Sequence, residues 1–207
     1  MNNKIENKSY GTHKDVIWLL LNNLSFIILG IPSNIFVSRV IGPAGYGLLK
    51  FFQTIITYTS MSDFGMAKAL HREIPLNPSS SEIVKSVNVV FSYTIASSLF
   101  SIFIVYLFFL FDIFLFDNFD NYIFILLVCT ILSQRFVIFI GKTILGGGHY
   151  IINSKLHITF NIIRPILTIV LAKYLELKGV LIAYFICDVL YFLILQSYVK
   201  IKPKIDF

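Results

Sequence analysis

Residues 16–38 contain no charged side chain, and at about 1.5 Å of rise per residue a helix of that length crosses a hydrocarbon layer of about 30 Å. The run outlasts the roughly 7–15 apolar residues at the centre of a secretory signal, so it is expected to stay in the chain as a membrane-spanning helix. Its end is equally constraining. The motif Ser38-Arg39-Val40-Ile41-Gly42-Pro43-Ala44-Gly45-Tyr46-Gly47 sets three glycines and a proline within six residues. Glycine permits positive φ, and proline fixes φ while offering no N–H, so this stretch is expected to end one helix and reverse the chain at a membrane surface.

The same alternation runs to the end of the chain. Charged residues divide it into apolar runs at 16–37, 46–62, 87–111, 122–140, 156–172 and 180–199. The second carries Lys50 and Gln53, and the fifth contains Arg164-Pro165. With 57% hydrophobic and 14% charged residues, the 207-residue chain is far more apolar than a soluble domain, for which roughly 45–50% is usual. A backbone in lipid must satisfy its own hydrogen bonds, and these continuous runs lack the period-two alternation of a membrane barrel. The expected fold is an all-α, polytopic transmembrane bundle of six spans. A cytoplasmic segment at 1–15, the spanning lobe at 16–199 and a basic tail at 200–207 form its domains.

The net charge of +6 raises nucleic acid as a partner, but the Lys and Arg residues are scattered between apolar runs and form no basic stripe. They read as topology signals. Lys4, Lys8, Lys14, Lys68, Arg72, Lys85, Lys142, Lys155, Lys200, Lys202 and Lys204 fall on one side, against Arg39, Lys50, Lys173 and Lys178 on the other. The loop at 112–121 on that second side holds three aspartates and no cation. The richer side is expected to be cytoplasmic, with both termini there. Cys129 and Cys187 both lie in apolar runs, as small buried hydrophobes do, and suggest neither a disulfide framework nor a thiolate metal site.

Counting along the runs places Arg135, Arg164 and Asp188 at similar depths, about 10–16 Å from the cytoplasmic surface. A charge facing lipid there costs several kcal/mol, so these groups are expected to face the bundle interior or a watery cavity. Two readings stand side by side. One is a cationic cavity wall for an anionic headgroup, with Asp188 as partner or ion site; the other is a structural Arg–Asp pair, with Arg135 snorkelling to the interface. Pro165 beside Arg164 removes a backbone donor and is expected to kink the helix. Asn22, Asn23, Asn34 and Gln53 suit hydrogen bonds between helices.

The segment from Ser62 to Glu73 is expected to hold a short interfacial helix on which Lys68 and Arg72, four residues apart, share a face. Gly146-Gly147-Gly148 lacks the Lys-Ser/Thr and the preceding strand of a phosphate loop. His149 and His157 are isolated, and no catalytic or metal-ligand spacing occurs, so transport or binding is expected in place of bond-making chemistry, with no cofactor and no metal.

The hinge motif after the first run, Ser62-Asp63-Phe64-Gly65 with residues 67–72 after the second, and the stretch from Leu145-Gly146-Gly147 through Arg164-Pro165 to Gly179-Val180 together resemble the bacterial polysaccharide flippases. These belong to the multidrug/oligosaccharidyl-lipid/polysaccharide exporter superfamily. The resemblance covers nearly the whole chain. It implies a lobe of a two-lobed alternating-access transporter in the bacterial cytoplasmic membrane. The implied cargo is an undecaprenyl-diphosphate-linked oligosaccharide, turned from the inner to the outer leaflet for polysaccharide biosynthesis. Arg39 enters the expected site from the hinge motif, while Arg135, Arg164 and Asp188 enter it from depth alone. The family is about twice this length, which implies an N-terminal lobe with a second six-helix lobe as partner, or a parallel homodimer. An ion-coupled exporter of small cations, a membrane enzyme acting on polyprenyl phosphates and an inactive fragment are the competing expectations. Lipid-linked oligosaccharide and membrane lipids, and no nucleic acid, are the expected ligands.

Overall fold

The computed structural model describes residues 13–76, 79–111 and 121–198. All regular structure among them is helical: α1 (His13–Met61), α2 (Met66–Leu76), α3 (Ser80–Leu110), α4 (Asn121–Gly146) and α5 (Tyr150–Tyr198). Four of these, α1, α3, α4 and α5, are long and apolar enough to cross a membrane. Lys4, Lys8, the loop at 112–120 and the basic tail lie outside the described residues.

Four long helices stand where six separate runs were expected, because the polar turns anticipated between runs one and two and between five and six shrink to single residues. The helices α1 and α5 are each 49 residues long, and each leaves helical geometry at one position, Gly42 and Glu176 respectively. At both positions the chain doubles back. Lys50 Nζ donates to Asn34 Oδ1 at 3.4 Å, whereas an unbroken helix would hold residues sixteen apart about 24 Å from each other. In α5 the Phe160 and Tyr191 rings meet edge to face at 5.2 Å, and these two residues are placed almost symmetrically about Glu176.

Local chemistry accounts for the first reversal, and close packing of the legs accompanies the second. Gly42 takes φ 72°, which a residue without Cβ adopts at no steric cost, and Pro43 follows at a first helical position where its missing N–H goes unnoticed. Only Gly42 of the hinge leaves the helix, so Gly45 and Gly47, expected in the turn, are helical instead. In α5 the legs approach so closely that a Cβ on Gly179 would overlap the Leu171 carbonyl. Pro165, expected to kink its helix, lies in a stretch whose backbone dihedrals stay helical.

Short caps finish the other ends. Ser79 Oγ accepts from Glu82 N at 3.3 Å at the start of α3, and Asp63 Oδ2 accepts from Ala67 N at 2.9 Å at the start of α2. The triglycine run closes α4, with Gly148 N donating to Leu145 O and His149 N to Ile144 O at 3.0 and 3.2 Å. That accounts for the glycines without any phosphate. The short helix expected between Ser62 and Glu73 is α2, which buries Ala67, Leu70 and Ile74 and leaves Lys68 and Arg72 exposed.

The helix α5 is the centre of the bundle, flanked by α1 and α4, while α3 and α2 pack on α4. Two apolar clusters divide the lobe along its length. One gathers Val37, Leu49, Val105, Leu127, Ala172 and Leu177, and so sits beside the Gly42 and Glu176 reversals and the α3–α4 connection. The other gathers Leu70, Ile74, Ile83, Ile144, Phe160 and Leu195 at the end that carries α2. Outside, the lobe is apolar: Phe26, Ile28 and Ile31 on α1 are 59–67% exposed, as suits a surface solvated by lipid tails.

Candidate functional site

Polar side chains on α1 and α5 meet along one seam inside the apolar lobe. At its middle, Arg164 of the first α5 leg forms a salt bridge through an NH2 group to Asp188 Oδ1 of the second leg. The two stand equally far on either side of Glu176, so the reversal that makes the hairpin also makes the pair. The partners are unequally buried, at 39% exposure for the Arg164 side chain and 5% for Asp188. The guanidinium lies 5.7 Å from the centroid of the Tyr184 ring, one helical turn before Asp188 on the same face. Its Nε has no acceptor.

From Tyr184 the seam crosses to α1. Gln53 Nε2 donates to Tyr184 Oη at 2.9 Å, and Gln53 Oε1 accepts from Lys50 Nζ at 2.9 Å. The Lys50 ammonium also lies 5.0 Å over the Tyr46 ring and reaches Asn34. Further along, Asn161 Nδ2 donates to Ser25 Oγ at 2.9 Å and to Asn22 Oδ1 at 3.3 Å, joining α5 to the first leg of α1. Beyond Arg164, Tyr191 Oη donates to Asn153 Oδ1 at 3.1 Å between the two α5 legs. Asn22, Asn34 and Gln53 thus make the interhelical bonds their residue types suggest.

The middle of the seam therefore carries two cations, Lys50 and Arg164, and one carboxylate, Asp188. Such an excess of positive charge in a low-dielectric setting attracts anions and repels cations. Lys50 is held by neutral oxygens and a ring face alone, and Arg164 is half open.

No family model, curated protein or solved structure matches this chain.

Of the four residues expected in the site, the structure joins only Arg164 and Asp188. Arg135 belongs to a separate knot on α4, away from that pair. It is 3% exposed and donates through Nη1 to Ser60 O at 3.3 Å, and through Nη2 to Ser62 Oγ and to Ser101 Oγ at 3.3 Å. Ser62 and Ser101 also hydrogen-bond each other at 2.7 Å. These bonds fasten the end of α1 to α3 and α4, so Arg135 neither lines the seam nor snorkels outward. Arg39 is exposed on α1 just before the Gly42 reversal, outside the hydrogen-bonded seam.

Lys50, Gln53 and Tyr184 complete the arrangement, and of these Tyr184 went unnoticed in the sequence. Its position four residues before Asp188 was the available signal, since that spacing puts both on one helix face. Near the α2 end, burial holds the His71 imidazole below its usual pKa, and the Lys142 ammonium adds to the shift. The Tyr150 hydroxyl lies 3.5 Å from His71 Nε2. Among the described residues no three His, Cys, Asp or Glu side chains gather to hold a metal ion.

Proposed function

We propose that this chain is a six-crossing lobe of a membrane flippase that moves a lipid-linked oligosaccharide with an anionic diphosphate headgroup. One observation carries the reading: a seam with two cations and one carboxylate, Lys50, Arg164 and Asp188, lies between α1 and α5 in helices whose outer surface is apolar. A headgroup held there keeps its charge compensated while its hydrocarbon tail stays in the bilayer, which lowers the cost of carrying phosphate and sugar hydroxyls through hydrocarbon. The cation excess favours this cargo over the small cations of an ion-coupled exporter.

Six crossings follow from counting the doubled α1 and α5 as two legs each, together with α3 and α4. The described ends, His13 and Tyr198, then lie at the end that carries α2, where Lys68, Arg72, Lys85 and Lys142 stand, against Arg39, Lys173 and Lys178 near the opposite reversals. By the positive-inside rule the α2 end is cytoplasmic, and the host membrane is the bacterial cytoplasmic membrane. Alternating access in such a transporter is the rocking of one helical body against another around a fixed site, so a second lobe or a second copy is the implied partner.

Complementation tests the reading. In a bacterium lacking its polysaccharide flippase, this chain together with a C-terminal lobe is expected to restore surface glycan, and Arg164→Ala to abolish rescue at an equal level in the membrane. Absence of rescue by an inserted chain, with and without the second lobe, would overturn it.

A further inference from the structure

The ion pair at the centre of the seam is lopsided in a way that bears on selectivity. Asp188 is enclosed and receives Arg164 as its cation, whereas Arg164 is half open and lies against Tyr184. Lys50, reached from Tyr184 through Gln53, is held by neutral acceptors. An anion arriving at Arg164 therefore meets a guanidinium already occupied by a carboxylate. Displacing that carboxylate leaves Asp188 enclosed without its cation, a penalty any ligand must offset.

A ligand with a single negative charge exchanges one anion for another at Arg164 and gains nothing to offset the penalty. A ligand whose charges sit on two linked phosphates has a second anion to extend from Arg164 toward Lys50, along the Tyr184 and Gln53 side chains that join the two cations. We propose that Asp188 sets the charge threshold of this site: it acts as an internal anion that a diphosphate headgroup displaces and a phosphodiester headgroup does not. The inference rests on the flippase reading and adds a specificity-determining residue to it. The repulsive element is what separates the ligands, since both classes are anionic lipids and attraction alone would admit either. Bulk phosphodiester lipid, present in vast excess in any membrane, is thereby kept out of the seam.

Equilibrium binding of radiolabelled farnesyl diphosphate to the full chain in phosphatidylcholine nanodiscs tests this, with phosphatidylglycerol as the phosphodiester competitor. Wild type is expected to bind the diphosphate without displacement by excess phosphatidylglycerol. Asp188→Asn is expected to bind it about tenfold more tightly, the scale of one close interfacial charge, and to become sensitive to phosphatidylglycerol. Asp188→Glu restores the discrimination, and Lys50→Gln weakens diphosphate binding by about tenfold while leaving phosphatidylglycerol excluded. If Arg164→Gln abolishes binding but Asp188→Asn leaves both affinity and selectivity unchanged, the threshold is overturned and the site stands. Binding that is indifferent to Arg164→Gln overturns the site and the threshold together.

Discussion

Two arginines sit inside this apolar lobe, and they are held in opposite ways. Arg135 is 3% exposed and its hydrogen bonds go to neutral oxygens, the Ser60 carbonyl on α1, the Ser62 hydroxyl just past that helix and the Ser101 hydroxyl on α3. Arg164 is 39% exposed at its side chain and donates to a carboxylate on the returning leg of its own helix. Neutral acceptors that close around a guanidinium leave no route for another anion and suit a fastening. A single carboxylate on a partly exposed arginine side chain is a contact that another anion can replace. The residue type is the same; enclosure and the charge of the acceptor separate the two, and on the function proposed above they make one a fastening and the other a site of exchange.

The sharpest way to break this contrast is a double-mutant cycle on the exchangeable pair. Arg164→Gln strands an Asp188 that is 5% exposed, and is expected to cost about 3 kcal/mol of stability, at the low end for breaking a buried pair because Arg164 is partly open. Asp188→Asn strands the less enclosed partner instead, which keeps the Tyr184 ring against its guanidinium, so its cost is expected to be smaller, about 1–2 kcal/mol. The double variant should recover most of the first loss, since it leaves no uncompensated charge. Chemical unfolding in detergent measures all three. Equal costs for the two single variants would show that the pair is not lopsided in energy, whatever its exposure.

The fastening comes next in size. Arg135→Ala removes the links from α4 to α1 and α3 and opens a void, while the Ser62–Ser101 hydrogen bond survives to satisfy those hydroxyls. The expected loss is about 2–3 kcal/mol, with diphosphate binding per folded molecule unchanged. A fall in binding affinity beyond the fall in folded protein would place Arg135 in the site after all.

How far the sequence foretold this arrangement can be read residue by residue. The apolar runs announced helices at membrane depth, and the Lys68–Arg72 spacing announced α2, because both signals are periodic and local. The reversals were harder to place. Gly42 was visible within a glycine-rich motif, but Glu176 sits between runs with nothing in its own chemistry to favour φ 49°. Arg164 and Asp188 were both expected at similar depth, yet their pairing depends on a reversal midway between them, which depth counting does not supply. Depth alone groups Arg135 with them for the same reason. Depth is one coordinate, and the helix faces that separate the knot from the seam are set by tertiary packing. The serines that hold Arg135 carried no signal at all, since membrane helices use serine for many ends.

A smaller test addresses the bridge from the exchangeable pair to Lys50. Tyr184→Phe keeps the ring under Arg164 and removes the hydroxyl that accepts from Gln53. The expected cost is about 1 kcal/mol, one net hydrogen bond. Gln53→Leu in the Tyr184→Phe background should add little through this contact, because the bond it made to Tyr184 is already gone. Full additivity of the two would mean that Gln53 and Tyr184 contribute independently, and would sever the α1 and α5 ends of the seam.

The smallest effect has the opposite sign and separates the hairpin from the pair it creates. The α1 reversal uses glycine at φ 72°, while the α5 reversal uses Glu176 at φ 49° and ψ −130°, a region that penalises a Cβ by roughly 1–2 kcal/mol. Glu176→Gly relieves that penalty and gives back part of it, roughly 0.5–1 kcal/mol, through the greater freedom of glycine in the unfolded chain. The net expectation is a stabilisation of about 0.5–1 kcal/mol, read as a higher unfolding midpoint. Because Glu176 is exposed and lies twelve residues from both Arg164 and Asp188, diphosphate affinity should not move. A stabilised variant with altered affinity would mean that strain at the reversal biases the ion pair, and that hinge and threshold act as one device.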